Sequence, residues 1–484
     1  MKRKLLLLSC LVIVSCTEEV SIINDGVTEL PTTTTRQASD GLYDLLGFSY
    51  DVTGKYLDVD VAKRTVVNIE GFVNDYADRF YYPATHQGSM SVYSGATALD
   101  YLEEIKNKNS ISNTSENEIE GLSLSGNIKI TNELNSKYSY STKYSFARAD
   151  VVRRVKRLYL DATPSMLLPY LTSSFKENLK QLSPDKFVET YGTHVLCDIT
   201  IGGRLSFTYR SVINATSNTA EKKRTVEAGL KFNVSKYGAD LQSSHLSEDI
   251  QTWNSKNSLW NLWIEYAGGT NSGTVITYTS EDQPTPTINI SAWENSVTVQ
   301  NAALVDINWE KAYPIYEFIT DSLKKKEITA AVKKYIESKK IEVVELVPMY
   351  QYFNPNTIKY AYSLSQNDSW YPLNGGWVNH GILCYVSKKM LNDFVPIYQY
   401  FNGRTGIYAY SQSLDDGWYP ASSGWVNHGI LCYAPKCELY GTKSLYQYYL
   451  TDMTYAYSLN PNDPWYITTN GRHWINHGAL CCVF

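Results

Sequence analysis

Histidine is the residue best suited to acid–base chemistry at neutral pH, and His194 stands out because it closes a short polar motif. The motif is Tyr191-Gly192-Thr193-His194. A catalytic histidine needs a nucleophile or an orienting carboxylate within reach. No serine, cysteine or carboxylate lies at a supporting spacing around His194. A catalytic base and a buried, hydrogen-bonded histidine are the two interpretations, and the spacing favours the second.

Three further histidines recur near the C-terminus, each inside an Asn-His-Gly triplet and each followed by a cysteine. They are His380, His428 and His477, followed by Cys384, Cys432 and Cys481. Imidazole and thiolate are zinc ligands, but the ligands of one ion must converge within about 2.1 Å of it, whereas repeat-related positions need not meet. We therefore predict no metal site, no cofactor and three small buried cysteines.

Common enzyme motifs do not occur in the sequence. It contains no G-x-S-x-G, H-E-x-x-H or P-loop. The formal net charge is −5 from mixed charges, which gives no broad basic face for nucleic acid. We predict a protein that is not an enzyme and that binds no nucleic acid.

The N-terminus carries signals of export and lipid attachment. Basic residues precede an apolar run over residues 5–14, which is too short to span a bilayer and predicts a cleaved signal peptide over residues 1–15. The run ends in Ile13-Val14-Ser15-Cys16, which resembles a bacterial lipobox, and the acidic residues after it resemble the surface-export signal of Bacteroidetes lipoproteins. The resemblance implies lipidation at Cys16 and a cell-surface outer-membrane lipoprotein, retained or released. Plain secretion is the alternative.

Composition divides the rest of the chain into three parts. Residues 16–40 are polar and aperiodic and predict a flexible tether. Residues 41–345 mix alternating stretches with two amphipathic helices, predicted over residues 165–182 and 317–338. Residues 346–484 contain aromatic repeats. We expect an α+β domain followed by an all-β domain.

An ordered series of motifs in the α+β region resembles one superfamily. Tyr144-Ser145-Phe146 opens a strand, a helix follows, and then comes Tyr191-Gly192-Thr193-His194. The pair Gly202-Gly203 and the segment Thr225-Val226-Glu227-Ala228 complete the series. In this order the motifs resemble the membrane-attack-complex/perforin (MACPF) domain of a bacterial branch. The resemblance implies a strongly bent antiparallel sheet and two clusters that unfurl into membrane-spanning hairpins.

The glycine pair predicts a hinge in that sheet. Consecutive glycines weaken a strand and permit a sharp bend, as at β-bulges. Gly202 and Gly203 are the hinge candidates, and the alternative is a tight turn between two short strands.

A strand that crosses a bilayer needs about 9–11 residues with one apolar and one water-tolerant face. Two segments alternate in this way, and we predict that they form the inserting hairpins. The apolar positions of the first segment are Leu122, Leu124, Ile128, Ile130, Tyr138, Tyr140, Tyr144 and Phe146. Those of the second segment are Val226, Ala228, Leu230, Phe232 and Val234. Alternation alone also fits an ordinary half-buried strand, and residues 97–107 and 241–256 lack it, so the helix–strand boundary in the soluble form stays open.

The C-terminal part repeats with a period of about 48 residues. Its units cover about 347–391, 395–436 and 443–484, and short strands with turn signals predict a pseudo-threefold trefoil or prism. The pattern also resembles Tyr/Trp repeats appended to secreted bacterial proteins. The candidate recognition residues are Trp377, Trp425, Trp474, His380, His428 and His477. Burial in the core is the alternative for the tryptophans.

Together these features predict a pore-forming protein. It would bind a target membrane through a surface receptor (protein, lipopolysaccharide or glycan), assemble into a homo-oligomeric ring and insert amphipathic β-hairpins. The expected activity is that of an antibacterial toxin acting on related bacteria. The alternative is a non-lytic surface adhesin or glycan-binding lipoprotein, which needs the tether and the repeats but no amphipathic hairpins.

Overall fold

The computed structural model describes residues 42–85, 87–109, 137–214, 218–241, 248–285, 287–339, 343–436, 438–439, 441–451, 454–466 and 473–484. The predicted signal peptide, Cys16 and the tether lie outside the described residues. So do four apolar positions of the first predicted hairpin, Leu122, Leu124, Ile128 and Ile130.

Strands and helices are mixed in the N-terminal region, residues 42–344. Its described strands are β1 (Phe48–Tyr50), β2 (Ala62–Thr65), β3 (Phe80–Tyr81), β4 (Gly88–Gly95), β5 (Tyr144–Leu160), β6 (His194–Leu196), β7 (Asp198–Ile213), β8 (Asn257–Ala267), β9 (Val275–Thr279), β10 (Ala303–Ile307) and β11 (Ala312–Pro314). Its described α-helices are α1 (Ile69–Asp75), α2 (Ala98–Lys108), α3 (Pro164–Leu167), α4 (Ser173–Gln181), α5 (Pro184–Tyr191), α6 (Thr219–Lys236), α7 (Glu248–Asn254), α8 (Ile290–Ser296) and α9 (Ser322–Ser338).

Two antiparallel sheets organise this region. The larger has the order β3-β5-β7-β8-β9, with β4 added on β5 and β10 on β7. The smaller has the order β11-β6-β1-β2. β5 and β7 pair along almost their whole length, from Tyr144 opposite Val212 to Tyr159 opposite Asp198. Every residue of β7 is buried, so this strand lies at the centre of the core.

The two helices predicted from periodicity differ from the observed ones at their ends. The segment 165–182 is divided, because α3 ends at Leu167 and a 3-10 turn containing Pro169, which has no N–H to donate, precedes α4. α9 begins only at Ser322, because the Asp321 carboxylate accepts a 2.7 Å hydrogen bond from the Lys324 N–H and caps the helix there.

The C-terminal region consists of three similar three-stranded sheets. Their strands are β12 (Val347–Asn354), β13 (Lys359–Ser363) and β14 (Val378–Val386), then β15 (Phe394–Asn402), β16 (Ile407–Ser411) and β17 (Trp425–Pro435), then β18 (Lys443–Leu450), β19 (Thr454–Ser458) and β20 (Trp474–Val483). In each sheet the first strand lies between the other two.

A cycle of tyrosines joins the three sheets. The Tyr362 N–H donates to the Tyr410 hydroxyl at 2.9 Å, the Tyr410 N–H to the Tyr457 hydroxyl at 3.1 Å, and the Tyr457 N–H to the Tyr362 hydroxyl at 2.8 Å. All three rings are buried. Because each repeat supplies one donor and one acceptor, the central contacts are equivalent in all three.

The described cysteines are buried thiols. Cys384, Cys432 and Cys481 occupy equivalent positions and are unpaired, as are Cys197 and Cys482. Burial raises the pKa of the Cys432 thiol to about 12. These side chains therefore behave as small apolar residues.

Candidate functional site: the two-faced central sheet

Four neighbouring strands of the larger sheet are joined in pairs by long segments. We call β4, β5, β7 and β8 the platform, because each pairs antiparallel with the next. Residues 96–143 join β4 to β5, and residues 214–256 join β7 to β8. Both segments leave the same end of the platform, since Tyr144, where β5 begins, pairs with Val212 near the end of β7.

One face of the platform is apolar. Its side chains are fully or almost fully buried, and they are Ala147, Ala149, Val151, Leu205, Phe207, Tyr209, Leu262 and Ile264. They lie side by side because Ala149 pairs with Phe207 and Phe207 pairs with Ile264. Helix α6 covers this face.

The opposite face of the same strands is polar although it is also buried. The Arg148 guanidinium lies 2.8 Å from the Asp150 carboxylate and donates to the Ser206 hydroxyl at 3.1 Å. The Arg210 guanidinium donates to the Asn261 side chain at 2.8 Å. Period-two alternation therefore separates an apolar from a polar surface in these strands, and β5, β7 and β8 carry charged side chains on the polar one.

The polar face is covered by elements that reach it from two sides. The Arg204 guanidinium donates to the Tyr56 carbonyl at 3.3 Å, and the Lys55 ammonium pairs with the Glu265 carboxylate. At the end where the long segments leave, the Tyr101 ring of α2 lies 5.9 Å from the Phe146 ring. The buried charges of this face therefore have partners both within the platform and from neighbouring segments, which limits the cost of burying them.

The second predicted hairpin is helical in this structure, which shows on which side of the helix–strand boundary, left open by the sequence, its residues lie in the soluble form. Val226, Leu230 and Val234 are buried on one side of α6, and the Asn218 side chain caps the helix by accepting from the Glu221 N–H at 3.1 Å. A spacing of four residues fits the period of a helix as well as that of a strand, so the alternation did not distinguish the two. Packing against the apolar face of the platform selects the helix.

Two side chains of this segment have surroundings that alternation does not predict. Asn233, expected on the watery face, is buried and donates to the Tyr209 hydroxyl at 3.2 Å. Phe232, expected on the apolar face, is partly exposed. Ala228 is buried together with the rest of the covered helix face. Whether these residues enter a bilayer after α6 opens stays a prediction.

The described end of the first predicted hairpin is only partly a strand. Tyr138 and Tyr140 are buried in a 3-10 turn over Lys137–Tyr140, and the strand begins at Tyr144 and continues through the buried Phe146. The observed strand therefore begins several residues later than the predicted one. Near the other end of this segment, α2 begins at a capping box formed by Thr97 and Asp100.

The Tyr-Gly-Thr-His motif connects helix α5 to the smaller sheet. Gly192 ends the helix with φ +72°, and a Cβ there would lie 2.8 Å from the Tyr50 carbonyl oxygen. The Thr193 hydroxyl accepts from the Val52 N–H at 3.2 Å. His194 is buried, with Nδ1 3.0 Å from that hydroxyl. Burial lowers the pKa of His194 to about 4, against an opposing effect of the Asp51 carboxylate.

This geometry corresponds to the structural interpretation of His194. The imidazole ring of His194 is neutral at physiological pH. The residues beside it hold β1 of the smaller sheet in place. Tyr191, the first residue of the motif, is buried and packs at 4.9 Å on the Phe187 ring.

Gly202 and Gly203 lie inside β7, which excludes the tight turn between two short strands. A Cβ on Gly202 would lie 2.0 Å from the Arg153 carbonyl oxygen, and one on Gly203 would lie 2.5 Å from Val297. Both neighbouring strands change register here, β5 between Arg154 and Lys156 and β10 just after Leu304. Bulges on both sides of the glycines mark a local bend of the strands. A hinge motion at this point stays a prediction.

In the repeats, the structure separates two sets of tryptophans. The predicted recognition residues Trp377, Trp425 and Trp474 are partly buried, and each packs on a buried tyrosine at 4.9–5.1 Å. A second tryptophan, seven to nine residues earlier in the chain, is exposed in every repeat. Trp370, Trp418 and Trp465 are 73%, 82% and 79% exposed. Their recurrence was visible in the sequence, but their exposure was not.

The predicted recognition histidines are exposed and share one environment. The ring centroids of Phe353 and His380 are 5.5 Å apart, and the equivalent pairs Phe401–His428 and Tyr449–His477 are 5.6 Å and 5.5 Å apart. Within the described part of the chain, no three His, Cys, Asp or Glu side chains come together in a way that could hold a metal ion.

Comparison with known families matches residues 43–344 to the MAC/Perforin domain. The chain belongs to the MAC/Perforin family. The match covers both sheets and the two long segments that leave the platform. A second match, to a domain of unknown function (DUF5648), covers residues 317–435 and 348–484. Curated protein sequences contain no match to this chain.

Several solved structures are similar to this chain at low sequence identity. One, described as a cell invasion protein with a MAC/Perforin domain from Bacteroides thetaiotaomicron, is 19% identical with a TM-score of 0.49 and 68% of each chain covered. GNIP1Aa from Chromobacterium piscinae is 13% identical with a TM-score of 0.44, covering 84% of this chain and 72% of its own. The cytotoxin suilysin from Streptococcus suis is 12% identical with a TM-score of 0.21, covering 51% and 46%.

No helix in the described part of this MAC/Perforin protein is both long and apolar enough to cross a bilayer.

Proposed function

We propose that this MAC/Perforin protein forms pores in a target membrane by converting its two long segments into β-hairpins. The observation that carries the proposal is the platform, four adjacent antiparallel strands with one apolar and one polar face. Residues 96–143 and 214–256 join these strands pairwise at one end. Each segment is longer than the roughly 20 residues that two bilayer-crossing strands require. If both extend, they continue the platform as four strands with the same sidedness.

After this conversion, the apolar and polar faces of the platform each lie in suitable surroundings. Opening of α6 uncovers the apolar face, and the polar face keeps Arg148, Asp150 and Arg210 on the side of water. Unpaired strand edges cost several kcal/mol per group in lipid, so one copy cannot insert alone. We infer a homo-oligomeric ring in which neighbouring copies pair their edge strands.

The target and the location are part of the same proposal. The lipobox at Cys16 supports a lipoprotein on the surface of the outer membrane, retained or released, and related bacteria are the proposed targets of an antibacterial toxin. The C-terminal region, which we propose to be one pseudo-threefold unit, would hold the surface receptor. A non-lytic adhesin or glycan-binding lipoprotein is the alternative. The exposed tryptophans of the repeats support the binding to a surface receptor that this alternative requires.

A disulfide that ties α6 to β8 tests the proposal. A Cβ on Gly229 would lie 2.7 Å from Cγ of Asn257, the atom whose place the sulfur of a cysteine takes, so cysteines at the two positions would be adjacent. The Tyr209 ring, 2.8 Å from the same Cβ, must shift to admit it, and thermal melts of the variant check that it folds. Gly229→Cys with Asn257→Cys should release no dye from vesicles of outer-membrane lipid extract while oxidised, because residue 229 must leave residue 257 for the hairpin to extend. Reduction should restore release.

The two single variants, which cannot form the bond, are the matched controls. Binding of the oxidised double variant to the vesicles should equal that of the reduced form. Equal dye release in both redox states would disprove unfurling of α6. Binding without release by the wild-type protein would support the adhesin.

A further inference from the structure

The exposed tryptophans of the repeats lie on loops that are held rigidly. In the first repeat the Asp368 carboxylate accepts from the Ser363 hydroxyl and from the Trp370 N–H, the latter at 2.9 Å. The Asp368 N–H donates to the Tyr352 hydroxyl at 3.1 Å. The same bonds recur at the equivalent residues Ser411, Asp416, Trp418 and Tyr400, and Ser458, Asp463, Trp465 and Tyr448.

This arrangement fixes the backbone that carries a large apolar side chain without burying that side chain. Exposed indole gains little from the fold, yet in every repeat one tyrosine hydroxyl and one carboxylate hold the loop that presents it. An exposed aromatic ring on a fixed loop suits a binding site, because little backbone freedom is lost when a ligand covers it.

Besides the exposed tryptophan, each repeat has a second residue whose exposure the fold does not explain, the histidine of its Asn-His-Gly triplet. The Asn379 side chain donates to the Gln366 carbonyl at 2.7 Å and accepts from the Gly381 N–H at 2.7 Å. Gly381 has φ +96°, which disfavours any residue with a Cβ. Asparagine and glycine thus shape the turn, and the same contacts recur in the other two repeats. The histidine between them is exposed, with its ring beside an aromatic ring.

Tryptophan and histidine come together at the junction between repeats. The Trp370 ring of the first repeat lies 6.4 Å from the His428 ring of the second. By their place in the repeat, Trp418 and His477, and Trp465 and His380, belong to the other two junctions. The junction of the first and second repeats therefore has an indole beside an imidazole that can donate or accept a hydrogen bond, and the sequence supplies the same two residue types at the other two.

We propose that each of the three junctions binds one sugar residue of a surface polysaccharide. The C–H face of a pyranose ring stacks on indole, and its hydroxyl groups hydrogen-bond to the adjacent imidazole. Three equivalent small sites fit a ligand that itself repeats, as a polysaccharide does and a single protein surface does not. Simultaneous occupation of weak sites raises the overall affinity by avidity.

The inference rests on the proposed function in one respect, that the saccharide is the receptor of the pore-forming protein. Binding is therefore measured without a membrane, on the delipidated polysaccharide of lipopolysaccharide purified from related bacteria, using the full chain. Trp370→Ala should weaken binding about tenfold, and the triple variant Trp370→Ala, Trp418→Ala and Trp465→Ala should lose about a hundredfold or more.

Matched variants separate binding from folding. Trp377→Phe changes the partly buried tryptophan of the same repeat and should lower thermal stability without weakening binding. His428→Ala should weaken binding while Trp370 remains. Because the altered tryptophans are exposed, thermal melts of the triple variant should match the wild type.

Two results would overturn the proposal. One is polysaccharide binding by the triple variant equal to that of the wild type. The other is binding of the wild type to sugar-free lipid vesicles that the triple variant loses, which would assign the tryptophans to lipid. If the wild type binds polysaccharide but releases no dye from lipopolysaccharide-containing vesicles, the proposed sugar sites are supported and the proposed pore is contradicted.

Discussion

At the residue scale, His194 is a neutral, fully buried imidazole. Its Nδ1 lies 3.0 Å from the Thr193 hydroxyl, which also contacts the backbone of the first strand through Tyr50 and Val52. The Asp51 carboxylate nearby accepts from the Tyr335 hydroxyl at 2.8 Å. The motif thus ties helix α5, strand β1 and helix α9 together, and protonation of the imidazole would place a charge inside this junction.

We therefore expect acid to destabilise the fold through His194. Burial lowers the pKa of His194 in the folded state to about 4, whereas the unfolded value is about 6.5. The unfolded state binds the proton first, so this contribution is complete above pH 6.5 and declines as pH falls towards 4, by about 3 kcal/mol. Chemical unfolding of the wild type and His194→Gln across this range measures it. A parallel pH dependence in both proteins would contradict the assignment.

At the element scale, α6 is a helix whose sequence also suits a strand. Its buried residues are four positions apart, and the apolar face of the platform holds the helix in place. On the exposed side, the Lys231 ammonium lies 2.7 Å from the Glu227 carboxylate, and the Lys236 ammonium lies 4.4 Å from the Phe232 ring centroid. Changes on this side alter the helix little but alter an inserted strand strongly.

Phe232→Lys is therefore expected to impair the pore while changing the stability of the soluble form little. Loss of an exposed cation–π contact costs the soluble form about 0.5–1 kcal/mol. A lysine at the middle of a lipid-facing strand costs roughly 2–4 kcal/mol in each copy, so dye release should fall sharply. Lys231→Ser, on the opposite strand face, removes only a surface ion pair and should release dye normally. Leakage at equal surface density and thermal melts are the measurements; equal loss in both variants would show that this alternation does not face lipid.

At the scale of the whole molecule, the C-terminal repeats hold one end of the first long segment. The Tyr138 ring packs between Phe394 and Phe484, with centroids 6.0 Å and 5.1 Å away, and its hydroxyl donates to the Asp393 carboxylate at 3.0 Å. The Thr142 N–H donates to the Val344 carbonyl at 3.0 Å. The segment therefore cannot extend from this end without breaking contacts with the repeats, which would couple the proposed receptor binding to the proposed opening.

Weakening this contact should accelerate pore formation. Tyr138→Phe removes the hydrogen bond to Asp393, worth about 0.5–1.5 kcal/mol, but keeps the ring packing. We expect faster dye release with unchanged binding to the vesicles. Tyr140→Phe, in the same turn but packed on Phe146 rather than on the repeats, is the control. Unchanged release kinetics in Tyr138→Phe would show that the repeats do not control opening.

The sequence by itself determined the features that depend on short-range chemistry. The motif ending at His194 predicts a buried, hydrogen-bonded histidine, and the ring is buried with Nδ1 3.0 Å from the Thr193 hydroxyl. The Asn-His-Gly triplets likewise mark the same turn three times. The family and the mixed α+β fold followed from the order of such motifs.

Only the tertiary structure decided which elements cover which faces. Val226, Leu230 and Val234 satisfy both the helical and the strand period, and burial against the platform selects the helix. Nothing local distinguishes Trp370 from Trp377, because a neighbouring tyrosine buries one while the loop bonds to Asp368 keep the other exposed. The polar face of the platform was not anticipated either, since Arg210 bonds to Asn261 and Arg148 to Ser206, partners that are distant in sequence. Burial of this kind depends on contacts between remote segments, which periodicity along one segment does not contain.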